Sequence, residues 1–344
     1  ERNKTRAILY ALLAAVFYAV NIPMSKLLLN VIGATMMAAF LYLGAGLGIG
    51  CMSLVSRKEK GERLDRRDLP FVIGMIALDI AAPIFLMLGI SYGSSSNASL
   101  LGNFEIVITT VIALVIFKET VSRRLWLAIG LITLSSILLS FEGVGSLRLS
   151  FGSLFVLLAT VCWGFENNCT RKISSKSTYE IVVLKGVFSG LISLGIALLR
   201  RESIPPFSYV LLALLLGFVA YGLSIFLYVR AQSVLGAART SAYYAVAPFI
   251  GAFLSFLLFK EALTGTYLAA LVVMIAGTAL VVADTLIRYH KHVHQHSFTH
   301  THDGSTHTHT VAHSHEHNHY VTDGKHGHRH TKEELERLAG AAHS

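Results

Sequence analysis

The sequence predicts an all-α polytopic membrane protein, with ten transmembrane helices arranged as two inverted five-helix repeats. Three observations point there. Of the 344 residues, 53% are hydrophobic and only 14% are charged, against about 25% charged in an ordinary soluble domain. The apolar residues come in long runs without charge, among them "AILYALLAAVFYAV", "VITTVIALVIF" and "YLAALVVMIAGTALVVA". With their flanks these reach the ~20 residues a helix needs to cross a bilayer's hydrocarbon core. A large soluble helical core would need a polar face on each helix, and these segments have none. Finally, two stretches of the chain resemble each other.

The spans follow in order. A basic arm, 1–6, leads into the first, 7–28. No cleavage site of small residues follows it, so it reads as a retained helix and not a signal peptide. The second, 34–55, ends at the basic run "RKEKGERLDRR". The third, 69–92, holds Asp79 and Pro83; the fourth, 96–117, holds Glu105; the fifth, 124–141, is short. A linker, 142–150, joins the halves. The sixth, 151–171, holds Glu166 and the seventh, 179–199, holds Lys185. The eighth, ninth and tenth fall at 207–229, 239–259 and 265–287, and a polar tail covers 288–344.

Basic residues set the expected orientation. They crowd the arm (Arg2, Lys4, Arg6), the second-to-third connection and later loops on the same side, including Arg123, Arg124, Arg171 and Lys172. The positive-inside rule places that side, and both termini, in the cytoplasm of a cell inner or plasma membrane. The net charge of +9 is then explained by loops facing anionic lipid, and a nucleic-acid partner is not needed. The three cysteines, Cys51, Cys162 and Cys169, lie in apolar segments, so no disulfide framework is expected.

The repeat has two anchors. "IALVIFKETVSRRLWLAIG" from Ile112 matches "GAFLSFLLFKEALTGTYLAALVV" from Gly251, so that Lys118-Glu119 corresponds to Lys260-Glu261 at an offset of 142. "LLAAVFYAVNIPMSK" from Leu12 matches "LLATVCWGFENNCTRK" from Leu157 at an offset of 145. Five spans per half is an odd number, so the halves have opposite orientations. Inverted repeats place a binding site near the midplane between them.

These residues carry a resemblance. The "FYAVNIPMSK" and "CWGFENNCTRK" turns, the two "FKE" elements and the small-residue helix after each make the chain similar to the drug/metabolite transporter superfamily, of the ten-helix type with two EamA domains. The likeness covers residues ~7–287, with repeats at 7–141 and 151–287. It implies ten helices and the transport of small polar or amphipathic metabolites, without fixing which. The chain departs from the family pattern at Ile106, where the matching Pro248 is the common residue, and at Glu166, which matches Asn21.

Charges inside spans are costly and mark pathways. Asp79 and Glu105 lie about ten residues into their spans, hence near mid-membrane, and Glu166, followed by Asn167, lies toward one end of its own. Lys185 can line the cavity or lock an acid. Pro83 frees the carbonyl of Asp79, Pro23 that of Ala19, and Pro248 that of Tyr244. Broken backbone at this depth survives only in protein or at a cavity wall, which adds Ser99, Asn103, Tyr221, Tyr243 and Tyr244 as polar lining. Cys162, Glu166 and Cys169 share one helix face, but three ligands on one straight helix cannot surround an ion. No phosphate loop, dinucleotide fingerprint or activated nucleophile is present, and the spans hold no histidine, so no enzyme is expected.

All sixteen histidines lie from His290 onward. The tail is low in complexity and is expected to lack regular structure, apart from a short helix capped at Thr331 by Glu334. Its alternation of histidine with Thr, Ser and Glu puts neighbouring histidines on one side of an extended chain. His307, His309, His313, His315, His317 and His319 are the expected ligands for Zn, Ni or Co, through neutral imidazoles. The function expected is secondary transport, as export, of small metabolites across the cytoplasmic membrane by alternating access, with no required cofactor. The alternative is a divalent metal transporter that uses the tail for loading or sensing. A homodimer is left open.

Overall fold

The computed structural model describes residues 2–55, 62–117, 123–141, 150–173, 176–235, 240, 243–302 and 305–318. It divides into a helical unit, 1–282, and a tail unit, 283–344.

The helices follow the apolar runs. They are α1 (Arg2–Ala19), α2 (Asn21–Leu28), α3 (Ala34–Val55), α4 (Leu69–Tyr92), α5 (Ser95–Leu101), α6 (Phe104–Phe117) and α7 (Arg123–Ser140) in the first half. The second half has α8 (Phe151–Ile173), α9 (Thr178–Leu199), α10 (Phe207–Gly217), a π-turn (Phe218–Leu223), α11 (Ser224–Leu235), α12 (Ala247–Phe259) and α13 (Gly265–Arg288). Among the described residues, seven spans are apolar and long enough to cross a membrane unaided. The fourth, sixth and ninth spans are the others. The fourth is interrupted at Gly102-Asn103, and the ninth turns at Ala245-Val246 before α12. The two breaks are 143 residues apart, within one residue of the repeat offset of 142, so both halves interrupt the same helix. The sixth, α8, is continuous but carries Glu166 and two asparagines.

The halves pack as a pseudo-symmetric bundle. The second helices of the two repeats, α3 and α9, lie against each other, as do α4 with α8 and α1 with α11. Glycine permits the central contact. A Cβ on Gly186 would sit 2.4 Å from the backbone nitrogen of Gly46, and one on Gly44 would sit 2.0 Å from the carbonyl oxygen of Leu214. Close backbone approach is how helices gain dispersion energy where lipid is as apolar as their own side chains.

Two carboxylates tie the second repeat to the first at the end opposite the basic loops. Glu261 accepts from the Ser95 and Ser96 amides at 2.9 and 3.0 Å, and from the Ser94 hydroxyl at 2.7 Å. It thereby satisfies the N-terminal amides of α5, which no helical carbonyl reaches. Glu202 does the same for α3, accepting from the Thr35 and Met36 amides at 3.3 and 2.8 Å. Each acid follows a residue in left-handed backbone, Lys260 at φ 48° and Arg201 at φ 56°. That reversal turns the chain back toward the first repeat. Glu119, the counterpart of Glu261, lies outside the described residues, as does the expected capping box at Thr331.

The tail departs from the structureless segment expected of it. Strands β1 (Tyr289–His302) and β2 (Ser305–Asn318) pair antiparallel. The alternation of histidine with threonine and other residues, which puts neighbouring histidines on one side of an extended chain, has the period of a β-strand.

Candidate functional site

Four helices deliver the central polar cluster. Asp79 comes from α4, Tyr42 from α3, Glu166 from α8 and Lys185 from α9, so each repeat supplies two members. Lys185 donates to Glu166 at 2.8 Å and lies 3.1 Å from Asp79. Tyr42 donates to the other oxygen of Asp79 at 2.7 Å, and Thr170 donates to Glu166. Asp79, Glu166 and Lys185 are 1%, 3% and 6% exposed. Isolated charges are not sustained at such depth; paired ones are. The pairing is incomplete in two ways. Two carboxyl groups face one ammonium, so with both ionised one negative charge is in excess. And Asp79 Oδ2 meets the Lys185 ammonium as an ion pair at 3.1 Å without a further hydrogen bond.

The repeat offsets reveal a neutral counterpart. Asn21 corresponds to Glu166, and at offsets of 142 and 143 Tyr221 corresponds to Asp79 and Tyr42 to Lys185. The Asn21 amide donates to the Tyr221 hydroxyl at 3.1 Å, and the Tyr42 and Tyr221 rings lie 5.2 Å apart. One inverted arm is ionic and the other is amide and phenol; the Tyr42–Asp79 bond links them. Tyr221 sits in the π-turn, a widened turn that often marks a functional position.

A second polar group lies beside the first. Asn167, exposed on α8, donates to Glu105 in the first turn of α6. A carboxylate there is favoured by the helix dipole, because the break at Gly102-Asn103 exposes an N-terminus within the bundle. Aromatic rings from both halves form a cluster of their own: Tyr18 lies 6.5 Å from Trp163, 5.8 Å from Tyr221 and 5.9 Å from Tyr244, and Tyr244 lies 5.1 Å from Tyr228.

The other expected residues are placed as follows. Ser99 is buried and donates to the Ser95 carbonyl at 3.0 Å, where α5 meets Gly251 of α12. Asn103 is buried in the α5–α6 break and reaches Thr278 at 3.4 Å. Tyr243 is half-buried in the same turn as Tyr244. Pro83 lies buried inside α4, Pro23 in the first turn of α2 just past the break at Val20, and Pro248 in the first turn of α12. In the tail, His307, His309, His313, His315 and His317 all fall on β2, and His319 is outside the described residues. Among the described residues no His, Cys, Asp and Glu group forms a metal cluster. Sequence reasoning missed Tyr42, Tyr18, Trp163 and the role of Asn21. The duplication held the signal for two of them, since Tyr42 and Asn21 stand opposite charged residues of the second half.

The model of the EamA-like transporter family matches residues 5–141 and 150–283. An uncharacterized transporter of Methanothermobacter thermautotrophicus is 24% identical over 268 residues, covering 72% of this chain and 78% of that protein. A solved crystal structure superposes with a TM-score of 0.60 at 15% identity, over 80% of this chain and 94% of its own, and shows the shared fold. Two family domains in tandem, membrane-length helices and a polar cluster built from both halves agree: the chain belongs to the EamA-like transporter family of the drug/metabolite transporter superfamily.

Proposed function

We propose that the protein is a secondary transporter that exports small metabolites across the cytoplasmic membrane by alternating access, with both termini in the cytoplasm, and that it catalyses no covalent chemistry. The observation that carries this reading is the buried Asp79–Lys185–Glu166 triad, drawn from both repeats and carrying, with both acids ionised, one negative charge in excess. A proton taken up by a carboxylate neutralises the cluster and removes a charge that holds the halves together. A proton released restores it. Such a group is bistable in the way a coupled carrier needs, since each protonation state favours a different arrangement of the helices that supply it. In proteoliposomes loaded with a metabolite panel, an outside-acid pH gradient should drive efflux of one solute class. Asp79→Asn should abolish the pH dependence while retaining downhill exchange. Full pH-driven efflux in Asp79→Asn, or no solute flux at all, would overturn the reading.

A second reading, divalent metal (Ni, Co or Zn) transport with the tail as loader or sensor, draws support from the ribbon. Its register pairs His290 with His317, His292 with His315, His294 with His313 and His300 with His307. Imidazole is a ligand type that suits these ions. Metal flux with and without residues 290–344 separates the two readings.

A further inference from the structure

We propose that the tail ribbon carries a divalent-metal site built across its two strands, from His290, His292 and His294 on β1 and His313, His315 and His317 on β2. The site holds for either reading of the cargo, because it binds an ion whether or not the helical unit moves one.

The register places the ligands. Directly opposed residues of an antiparallel pair share a face, and so do residues two apart along a strand. Histidine fills the even positions of β1 except Phe298, and the odd positions of β2 except Ser305 and Val311. The pairing sets even positions of β1 opposite odd positions of β2. All eleven histidines of the two strands therefore fall on one face, and none on the other. Connection length decides this. Two residues separate His302 from Ser305. One residue more or fewer would shift the pairing by one and set the two strands' histidines on opposite faces. The histidine-free face favours the same register. There Lys291 lies opposite Glu316, and threonine opposes threonine at Thr299–Thr308 and Thr301–Thr306, pairings that stabilise a sheet.

Row spacing decides which histidines act together. Three consecutive rows of the face are histidine on both strands: His290 with His317, His292 with His315, and His294 with His313. Beyond them Val311, Phe298 and Ser305 each take one place in a row, and only His300 with His307 is again a full pair. Cα atoms lie about 5 Å apart across a row and about 7 Å apart from row to row along a strand. Two adjacent full rows thus place four histidines around one point. Four nitrogen ligands complete the tetrahedral shell that zinc prefers. A single His-x-His pair supplies only two. No such group stands preformed among the described residues, so the ion itself gathers its ligands from both strands. A two-stranded ribbon is marginal by itself in water, and an ion held by both strands stabilises the pairing that makes its site.

The test uses Zn2+ and untagged full-length protein in detergent near neutral pH. Binding is read by calorimetry, and strand pairing by amide hydrogen exchange over residues 289–318. One tight class of site per chain should stand above weaker ones, and Zn2+ should slow exchange in both strands. His313→Thr, His315→Thr and His317→Thr together should weaken the tight class about tenfold or more, although every histidine of β1 remains. A face-swapped variant discriminates more sharply. Ala312→His, His313→Ala, Ser314→His, His315→Ser, Glu316→His and His317→Glu move three histidines one place along β2. They keep the composition and the His-x-His spacing, and change only the face. The tight class should be lost there too, and the slowed exchange with it. His300→Thr with His307→Thr, outside the three rows, should leave the tight class unchanged. All these positions lie in the tail unit, so the melting of the helical unit serves as the control for folding. Unchanged Zn2+ affinity in the face-swapped or triple variant, loss of the tight class in the His300 and His307 variant, or exchange that Zn2+ does not slow would each overturn the site. Binding is read without flux. Tight Zn2+ binding with no metal flux would therefore leave the site standing and count against the metal-transport reading.

Discussion

At Lys185 one ammonium serves two carboxylates, and its removal would strand both. Asp79 and Glu166 would then face each other at depth with no counter-charge. Breaking a buried pair by deleting one partner typically costs about 3–5 kcal/mol. Lys185→Ala should therefore lower the melting temperature sharply in detergent, while Lys185→Met combined with Asp79→Asn and Glu166→Gln should recover most of it. An unaffected single variant would show that the triad is not a charged cluster. These residues were partly legible. An acid or a lysine in an apolar run stands out, and Asp79, Glu105, Glu166 and Lys185 could be named as candidates. Their pairing could not, because it depends on how helices from two repeats cross. Tyr42 and Tyr18 carried no signal of their own, since tyrosine in an apolar helix is ordinary packing.

At the scale of elements, the repeats are held at one end by acids that cap helices of the other repeat. Glu261 draws hydrogen bonds from three consecutive serines of the α4–α5 turn. Burial pushes its carboxyl up, and the donors from Ser96, Ser94 and Ser95 outweigh this and hold it below its ordinary value of 4.5. A lowered folded value means that the stabilisation is present above the unfolded value and is lost as pH falls through the folded one. Melting should thus be level near neutrality and drop below about pH 4.5, and Glu261→Gln should flatten that drop at a cost of about 1–2 kcal/mol. A melting profile with the same acid limb in the variant would remove Glu261 as its cause. The spans themselves are legible in the apolar runs: 34–55 and 69–92 coincide with α3 and α4 to the residue. The interruptions are not. Gly102-Asn103 sits inside an apolar stretch, and "FVAYGL" has no marker that distinguishes a π-turn from an α-helix.

For the whole molecule, the duplication was the most informative feature, because it constrains topology where composition gives only helix count. Two repeats of five spans carry the expectation of opposed orientations and of a site between the halves. The tail lies outside it and follows other rules, and its period-two pattern competed with its low complexity. If the tail loads metal, deleting 290–344 should lower Ni or Zn flux; flux that is absent with and without it would end that idea.

The unequal arms of the inverted repeat bear on the transport cycle. Two identical halves would make the two end conformations mirror partners of equal energy, so an empty carrier would divide its time evenly between them. Here exchanging the roles of the halves would swap an ionic triad for an amide and two phenols. That lifts the degeneracy. Under alternating access the resting orientation of the carrier is then written into the sequence, and a proton, by cancelling the charge of one arm, tunes how far the two conformations differ.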